Sequence, residues 1–523
     1  MEEEKLSKQI DWIATVVPFI FVGILFAIFM TFPSQSKMIL DNIRGFIGDD
    51  MGLYYAILGT GIFAVTIYMA FSKYGKIKLG GPSDKPEYSS FKWGTMIFTS
   101  TMAADILFYS LCEWALYANE PYIEQLGGIQ KWASTFPLFH WGPIAWSFYI
   151  ALAVAFGFML HIRKRDQQKF SEACRPLLGK KVDGPLGKVI DLIAIFALIA
   201  GTATTFSLAT PLLSHAISYV FGVPAGTALT IGILLVIVTV YTLVVVLGMK
   251  GISKLANWCT YLFFALLLYF LVFGKEASYI LETGFSALGN MVQNFVGMAT
   301  WMDPLRETSF PQNWTIYYWS YWMVWCVATP FFIGSISKGR SVKNVVIGGY
   351  GWGLAGTFVS FIILGNYGLA QQLKHGLDIS GAIAGGANYY DVIIQIFETL
   401  PLAKFGLILL VITMISFYST TFDALTMVIS SYSYKRLAVD KEPAKRVRVF
   451  WAIMFIVLPI GLLFAENSMN QLQSVSLIAA LPIGLIILLI VASFFKDARL
   501  FLKEKEELEN PKLLSEKNAK NGN

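Results

Sequence analysis

Apolar residues along this chain run in long blocks, not in the short alternations of a soluble fold. Each block is about 20 residues long, the length that crosses a hydrocarbon core of roughly 30 Å. The blocks predict twelve spans, at about 11–32, 52–72, 91–118, 136–161, 187–221, 226–248, 254–275, 313–336, 343–367, 401–433, 448–466 and 473–495. The third, fifth and tenth exceed what a perpendicular helix needs, so they are expected to tilt or to project. Residues 277–298 are amphipathic instead, which predicts a helix lying along the interface. Beyond Lys496 the chain turns charged and polar, which predicts a short cytoplasmic helix within the tail 496–523.

Composition agrees with the pattern. Of 523 residues, 56% are hydrophobic and 14% charged, against about 25% charged in soluble domains. The reading is an all-α polytopic membrane protein. Its net charge of +6 sits in loops and is no nucleic-acid footprint. Four scattered cysteines make neither a disulfide framework nor a metal site. No cleavable leader is expected, because the first block is long and lacks a small-residue cleavage site.

Loop charge orients the spans. With the N-terminus (1–10) inside, Lys73, Lys76, Lys78 and Lys85 follow span two, and Arg163, Lys164, Arg165 and Lys169 follow span four. Lys250 follows span six, Lys338, Arg340 and Lys343 follow span eight, and Lys435, Arg436, Lys441 and Arg448 follow span ten. The opposite loops are poor in Lys and Arg, so both termini are expected in the cytoplasm.

Some spans carry chemistry that lipid alone does not require. Asp105 lies within span three, where a charge costs roughly 2.5–3.5 kcal/mol on insertion scales. Span four begins "FHWGPIAWSFY", with Trp141, Trp146 and Tyr149. Span eight reads "WTIYYWSYWMVW", and helical spacing puts Trp322 and Trp325 on one face with Tyr318 nearby. An interfacial aromatic belt is the plain reading of any single Trp. These runs continue inward, and converging rings make a cage for a quaternary ammonium ion. Span ten adds Thr420, Thr421 and Asp423; the plain reading of the threonines is bonding to their own helix. Glu113, toward the end of span three, is expected to face water. An embedded enzyme would need metal ligands or a nucleophile with its base; the chain has four histidines and neither HExxH nor GxSxG.

These residues resemble a known family. "YYWSYWMVWCVATPFFIGSISKGRSV", "FPQNWTIYYW" and "FHWGPIAW" are similar to the signature segments of the betaine/choline/carnitine transporters, and the likeness runs from about Lys8 to Ala498. The resemblance implies a LeuT-like fold: two initial helices (11–72), then inverted five-helix repeats at 91–275 and 313–495. It also implies a homotrimer in the inner membrane, alternating access, and no cofactor beyond a coupling ion, Na+ or H+. The family's aromatic box falls on Trp141, Trp146, Tyr149 and Trp322, with Trp325 one turn on and Tyr321 replacing a Trp. The glycine-rich break of span three is "TMAAD" here, keeping Met102 as a substrate contact and ending in Asp105, as choline-type members do. For sodium, the resemblance points to Phe417, Thr420 and Thr421, and for a second site to Thr202, whose partner position is Leu198. Sodium-independent exchangers carry an Arg where this chain has Cys259. Asp105 itself is a candidate proton acceptor.

The expected function is import of choline or a close cationic quaternary ammonium compound, coupled to a proton or sodium. The alternative is symport or exchange of a zwitterion: glycine betaine, carnitine or butyrobetaine. A net-cationic ligand gains from Asp105, whereas a ligand bringing its own carboxylate is repelled when both are ionised. An osmosensor with a mainly signalling output is disfavoured by the short mixed-charge tail.

Overall fold

The computed structural model describes residues 6–100, 104–165, 167–247, 249–437, 441–464 and 469–509. Those residues are mainly helical, with no strand among them and two isolated β-bridges, Ile10 to Tyr434 and Lys78 to Ser341. The principal helices are α1 (Trp12–Thr31), α2 (Gly52–Phe71), α3 (Ser90–Ser100), α4 (Ala104–Ala118), α5 (Thr135–His140), α6 (Pro143–His161), α7 (Pro185–Phe221), α8 (Thr227–Leu247) and α9 (Met249–Phe273). After them come α10 (Ala277–Thr300), α11 (Ile316–Trp325), α12 (Thr329–Ser335), α13 (Val342–Ser360), α14 (Asn366–His375), α15 (Ala403–Tyr432), α16 (Lys445–Phe464) and α17 (Met469–Glu509).

Among the described residues, eight helical stretches are long and apolar enough to cross a membrane, and a bent pair makes a ninth. That pair is α9 and α10, which meet at 114°. The chain is an integral membrane protein. Its outer faces agree: α1 exposes Ile13, Phe19, Ile20, Phe21 and Ile24 together, a surface that water would not tolerate and lipid does.

The third predicted span falls on α3 and α4, which flank residues 101–103. The "TMAAD" motif therefore lies outside the described residues up to Ala103, Met102 included. Spans four and eight are interrupted within the described residues. In span four the helix stops at His140 and restarts at Pro143, whose fixed φ suits a first helical position. Gly142 is required there, because a Cβ on it would lie 2.3 Å from the Leu138 carbonyl. In span eight, α11 ends at Trp325 and α12 restarts with Pro330 in its first turn. These interrupted elements occupy the middle of the molecule. Every residue of α11 is buried, as is α6 from Ile144 to Leu160.

The charged tail does not form a helix of its own. α17 continues through Lys496 to Glu509, held by Arg163 to Asp497 and Glu504 and by Arg165 to Asp497, each at 2.8 Å.

Candidate substrate-binding site

The break at Gly142 brings Trp141 inward, and α6 carries Trp146 and Tyr149 one and two turns further on. Opposite them, α11 presents Trp322. Its indole lies 5.8 Å from Trp141, 5.5 Å from Trp146 and 4.7 Å from Tyr149, centroid to centroid. The planes are tilted by 72°, 55° and 53°. Four rings named from sequence thus meet as one buried cluster, already in contact with one another. A trimethylammonium group would have to part Trp322 from its neighbours to sit between their faces.

Trp325 does not join that cluster. Its ring contacts Tyr321 at 6.4 Å, and it faces α7 at Gly201. A Cβ on Gly201 would come within 3.2 Å of the Trp325 indole nitrogen. The expectation that Trp322 and Trp325 share a face is corrected accordingly. Three residues turn a helix by about 300°, roughly 60° short of alignment, enough here to send the second indole toward α7. Tyr318 instead packs on Trp141 at 5.6 Å and on Tyr109 at 5.5 Å.

Asp105 opens α4 and is buried. Tyr321 donates its hydroxyl to Asp105 Oδ2 and also meets the Thr205 hydroxyl from α7. Asp105 Oδ1 has no hydrogen-bond partner among the described residues. Tyr321 therefore ties the acid to the aromatic cluster, its own ring lying 6.5 Å from Trp141. No Lys or Arg side chain pairs with Asp105 among the described residues.

Glu113 overturns the expectation that it faces water. It is fully buried, and its carboxylate accepts from Tyr117 at 2.5 Å and from the Trp141 indole at 2.8 Å. The signal was present in the sequence: Glu113 follows Asp105 by eight residues, a little over two turns along one helix. Hydropathy placed it near a span end, but Trp141 and Tyr318 from other elements close around it.

The ion-coupling candidates lie elsewhere. Thr202 bonds to the Leu198 and Ile199 carbonyls of its own helix at 3.1 and 2.8 Å, and Thr420 to the Phe417 carbonyl at 3.0 Å. Thr421 is half-buried on the same helix. Phe417 packs on Phe263 at 5.9 Å, which in turn meets Phe98 of α3 at 6.0 Å. Asp423 is paired with Arg448, a residue counted from sequence as a loop charge and found buried at the start of α16.

Several polar atoms in the cluster remain unpartnered among the described residues: the indole nitrogens of Trp146, Trp322 and Trp325 and the hydroxyl of Tyr318. Buried donors of this kind normally find an acceptor. The cluster thus combines aromatic faces, two acids and unpartnered donors. The chain matches the model of the betaine/carnitine/choline family of transporters over residues 13–501.

This chain belongs to that family.

Members of the betaine/carnitine/choline family are transporters and not enzymes, and this is a family transporter of the betaine/choline type. A probable glycine betaine transporter of Desulfitobacterium hafniense (strain Y51) is 31% identical over 512 residues, covering 95% of this chain and 99% of that protein. The glycine betaine transporter OpuD of Bacillus subtilis (strain 168) is 28% identical, covering 92% and 93%. The high-affinity choline transport protein of Escherichia coli (strain K12) is 26% identical, covering 94% of this chain and 73% of that protein. The family thus includes relatives named for either substrate.

Proposed function

We propose that this protein is a secondary active transporter that imports choline, or a close cationic quaternary ammonium compound, by alternating access. The observation that carries this reading is Asp105: a buried acid with no basic partner among the described residues, joined through Tyr321 to the aromatic cluster. A fixed acid beside aromatic faces favours a ligand with a net positive charge, each ring adding about 2 kcal/mol or more when desolvated. Net cation uptake also draws about 2.3 kcal/mol per charge from a potential of about 100 mV. The coupling ion is a proton or sodium.

The architecture proposed with this function is twelve spans in two LeuT-like inverted repeats, both termini in the cytoplasm, in a homotrimer of the inner membrane. Helices α3 to α9 and α11 to α17 would form the two repeats, with α10 along the interface.

A second reading has its own support. The free indole nitrogens of Trp146, Trp322 and Trp325 are donors that a zwitterion's carboxylate would accept from, and two of the relatives above are named for glycine betaine. Sodium-coupled or exchange transport of glycine betaine, carnitine or butyrobetaine is therefore the alternative. Uptake of labelled choline into proteoliposomes, with each zwitterion as competitor, separates them. Saturable choline uptake resistant to betaine supports the first reading; betaine uptake that choline does not inhibit supports the second.

A further inference from the structure

Glu113 has a second neighbour shell that the aromatic cage does not explain. The Tyr117 hydroxyl that donates to it also lies 2.6 Å from His140 Nδ1, and His140 Nε2 lies 2.9 Å from the Thr315 hydroxyl. Carboxyl, phenol, imidazole and hydroxyl thus form one unbroken chain, from α4 through α5 to the π-helical turn Pro311–Thr315. All four side chains are buried. His140 is further fixed by stacking on Tyr318, at 5.1 Å and 16°.

Proton counting allows two arrangements of this chain. With Glu113 ionised, Tyr117 donates to it, His140 Nδ1–H donates to Tyr117, and Thr315 donates to Nε2. With Glu113 neutral, every donor reverses: Glu113 donates to Tyr117, Tyr117 to Nδ1, and Nε2–H to Thr315. The second arrangement holds exactly one proton more. That proton arrives at His140 Nε2, the Nδ1 proton passes to Tyr117, and the Tyr117 proton passes to Glu113. No heavy atom needs to move.

The other carboxylate oxygen of Glu113 accepts from the Trp141 indole. That bond is stronger to a carboxylate than to a neutral acid. Trp141 is also one of the rings closed on Trp322. Charge on Glu113 therefore holds Trp141 in the closed cluster, and neutralising it loosens that hold.

The groups that face this acid are themselves uncharged or remote. On its own helix these are Tyr109 and Cys112, with Asp105 two turns back. Tyr318 approaches from α11. Tyr389 and Tyr390 reach Cys112 from the helix Tyr389–Glu398, and Tyr418 of α15 faces the Asp105 end. Glu120, past the end of α4, accepts from the Trp314 indole. Arg44, a half-buried base of this region, lies near Tyr109 and Tyr317. Among the described residues, Glu113 has only hydroxyl and N–H partners. A buried charge so placed is costly, and the neutral acid is not.

We propose that Glu113 is a proton-binding group of the transport cycle, loaded through Thr315, His140 and Tyr117 and read by Trp141. The link to the cage rests on the transport reading above; the proton site itself does not.

Infrared difference spectroscopy on the purified full-length protein tests this by following the protonated-carboxyl band across pH. The expected result is a titrating band that Glu113→Gln removes and Asp105→Asn retains. Tyr117→Phe, which breaks the chain and keeps the acid, should move its midpoint by about one pH unit. Where tryptophan quenching shows choline bound, adding choline should shift the midpoint of the band in the wild type, and by the same linkage choline affinity should depend on pH more in the wild type than in Glu113→Gln. A spectrum of Glu113→Gln identical to wild type at every pH overturns the proposal. Should Glu113→Gln fail to fold, a wild-type band that Tyr117→Phe leaves unmoved overturns it equally. Wild-type protein that never binds choline counts against the choline reading alone, because the band still decides Glu113.

Discussion

Replacing Asp105 by Asn keeps an oxygen for the Tyr321 hydroxyl and removes the charge. The cost to a cationic ligand follows from the geometry. Tyr321 touches Asp105, its ring lies 6.5 Å from Trp141, and Trp141 lies 5.8 Å from Trp322. An ammonium held between the Tyr321 and Trp141 rings would lie on the order of 7 Å from the carboxylate. At an effective dielectric constant of about 20, opposite unit charges at that distance attract by about 2.4 kcal/mol, roughly 50-fold in affinity. Asp105→Asn should weaken choline binding by about that factor, while glycine betaine, neutral overall, should change by less than about threefold. Titration calorimetry on detergent-purified protein measures both. Equal losses for the two ligands in a variant with native tryptophan emission would refute the electrostatic role of Asp105.

Three further outcomes follow from placement. Trp322→Leu should weaken binding of trimethylammonium ligands by 30-fold or more, from about 2 kcal/mol of cation–π attraction; Trp325→Leu should cost less, because Trp325 packs against Gly201. Comparable losses in the two would return Trp325 to the cage. Gly201→Ala should slow transport and shift tryptophan emission, since its new Cβ would press on Val324 at 3.1 Å and on Trp325 at 3.2 Å; wild-type flux would mean that α7 yields freely there. Asp303 lies in the loop before α11. Burial raises its pKa, but donors from Thr308, Ser309 and Glu307 outweigh that and hold it below the ordinary carboxylate value. A depressed folded value contributes stability above the unfolded value that is lost as pH falls through the folded one. Hydrogen exchange in residues 303–310 should therefore lose protection on acidification, and unchanged protection would contradict this.

The sequence made the membrane class plain because apolar blocks of bilayer length have few other uses. The ring cluster was legible for a different reason: Trp141, Trp146, Tyr149 and Trp322 were named from motif resemblance, and the helix breaks at Gly142 and Trp325 bring them together. Periodicity alone misplaced Trp325, because a 60° offset is decisive when a neighbouring helix offers a glycine. Glu113 was misread because hydropathy reports distance from a span end, not whether side chains such as Trp141 and Tyr318 close over it. The hydroxyl pairing of Tyr321 with Asp105 and the chain from Glu113 to Thr315 join residues far apart in sequence, so no local pattern encodes them. The partner of Asp423 was hidden in the same way: Arg448 counts as a loop charge until α16 carries it inside.

The central claim is that the acid beside the ring cluster selects a net-cationic ligand. Competitive uptake in proteoliposomes with an inside-negative potential tests it directly, using labelled choline and labelled glycine betaine on wild type and Asp105→Asn. The account predicts choline uptake in the wild type that the potential drives, and a preference for choline over betaine that Asp105→Asn abolishes. Uptake of betaine alone, or a preference unchanged by Asp105→Asn, would contradict it.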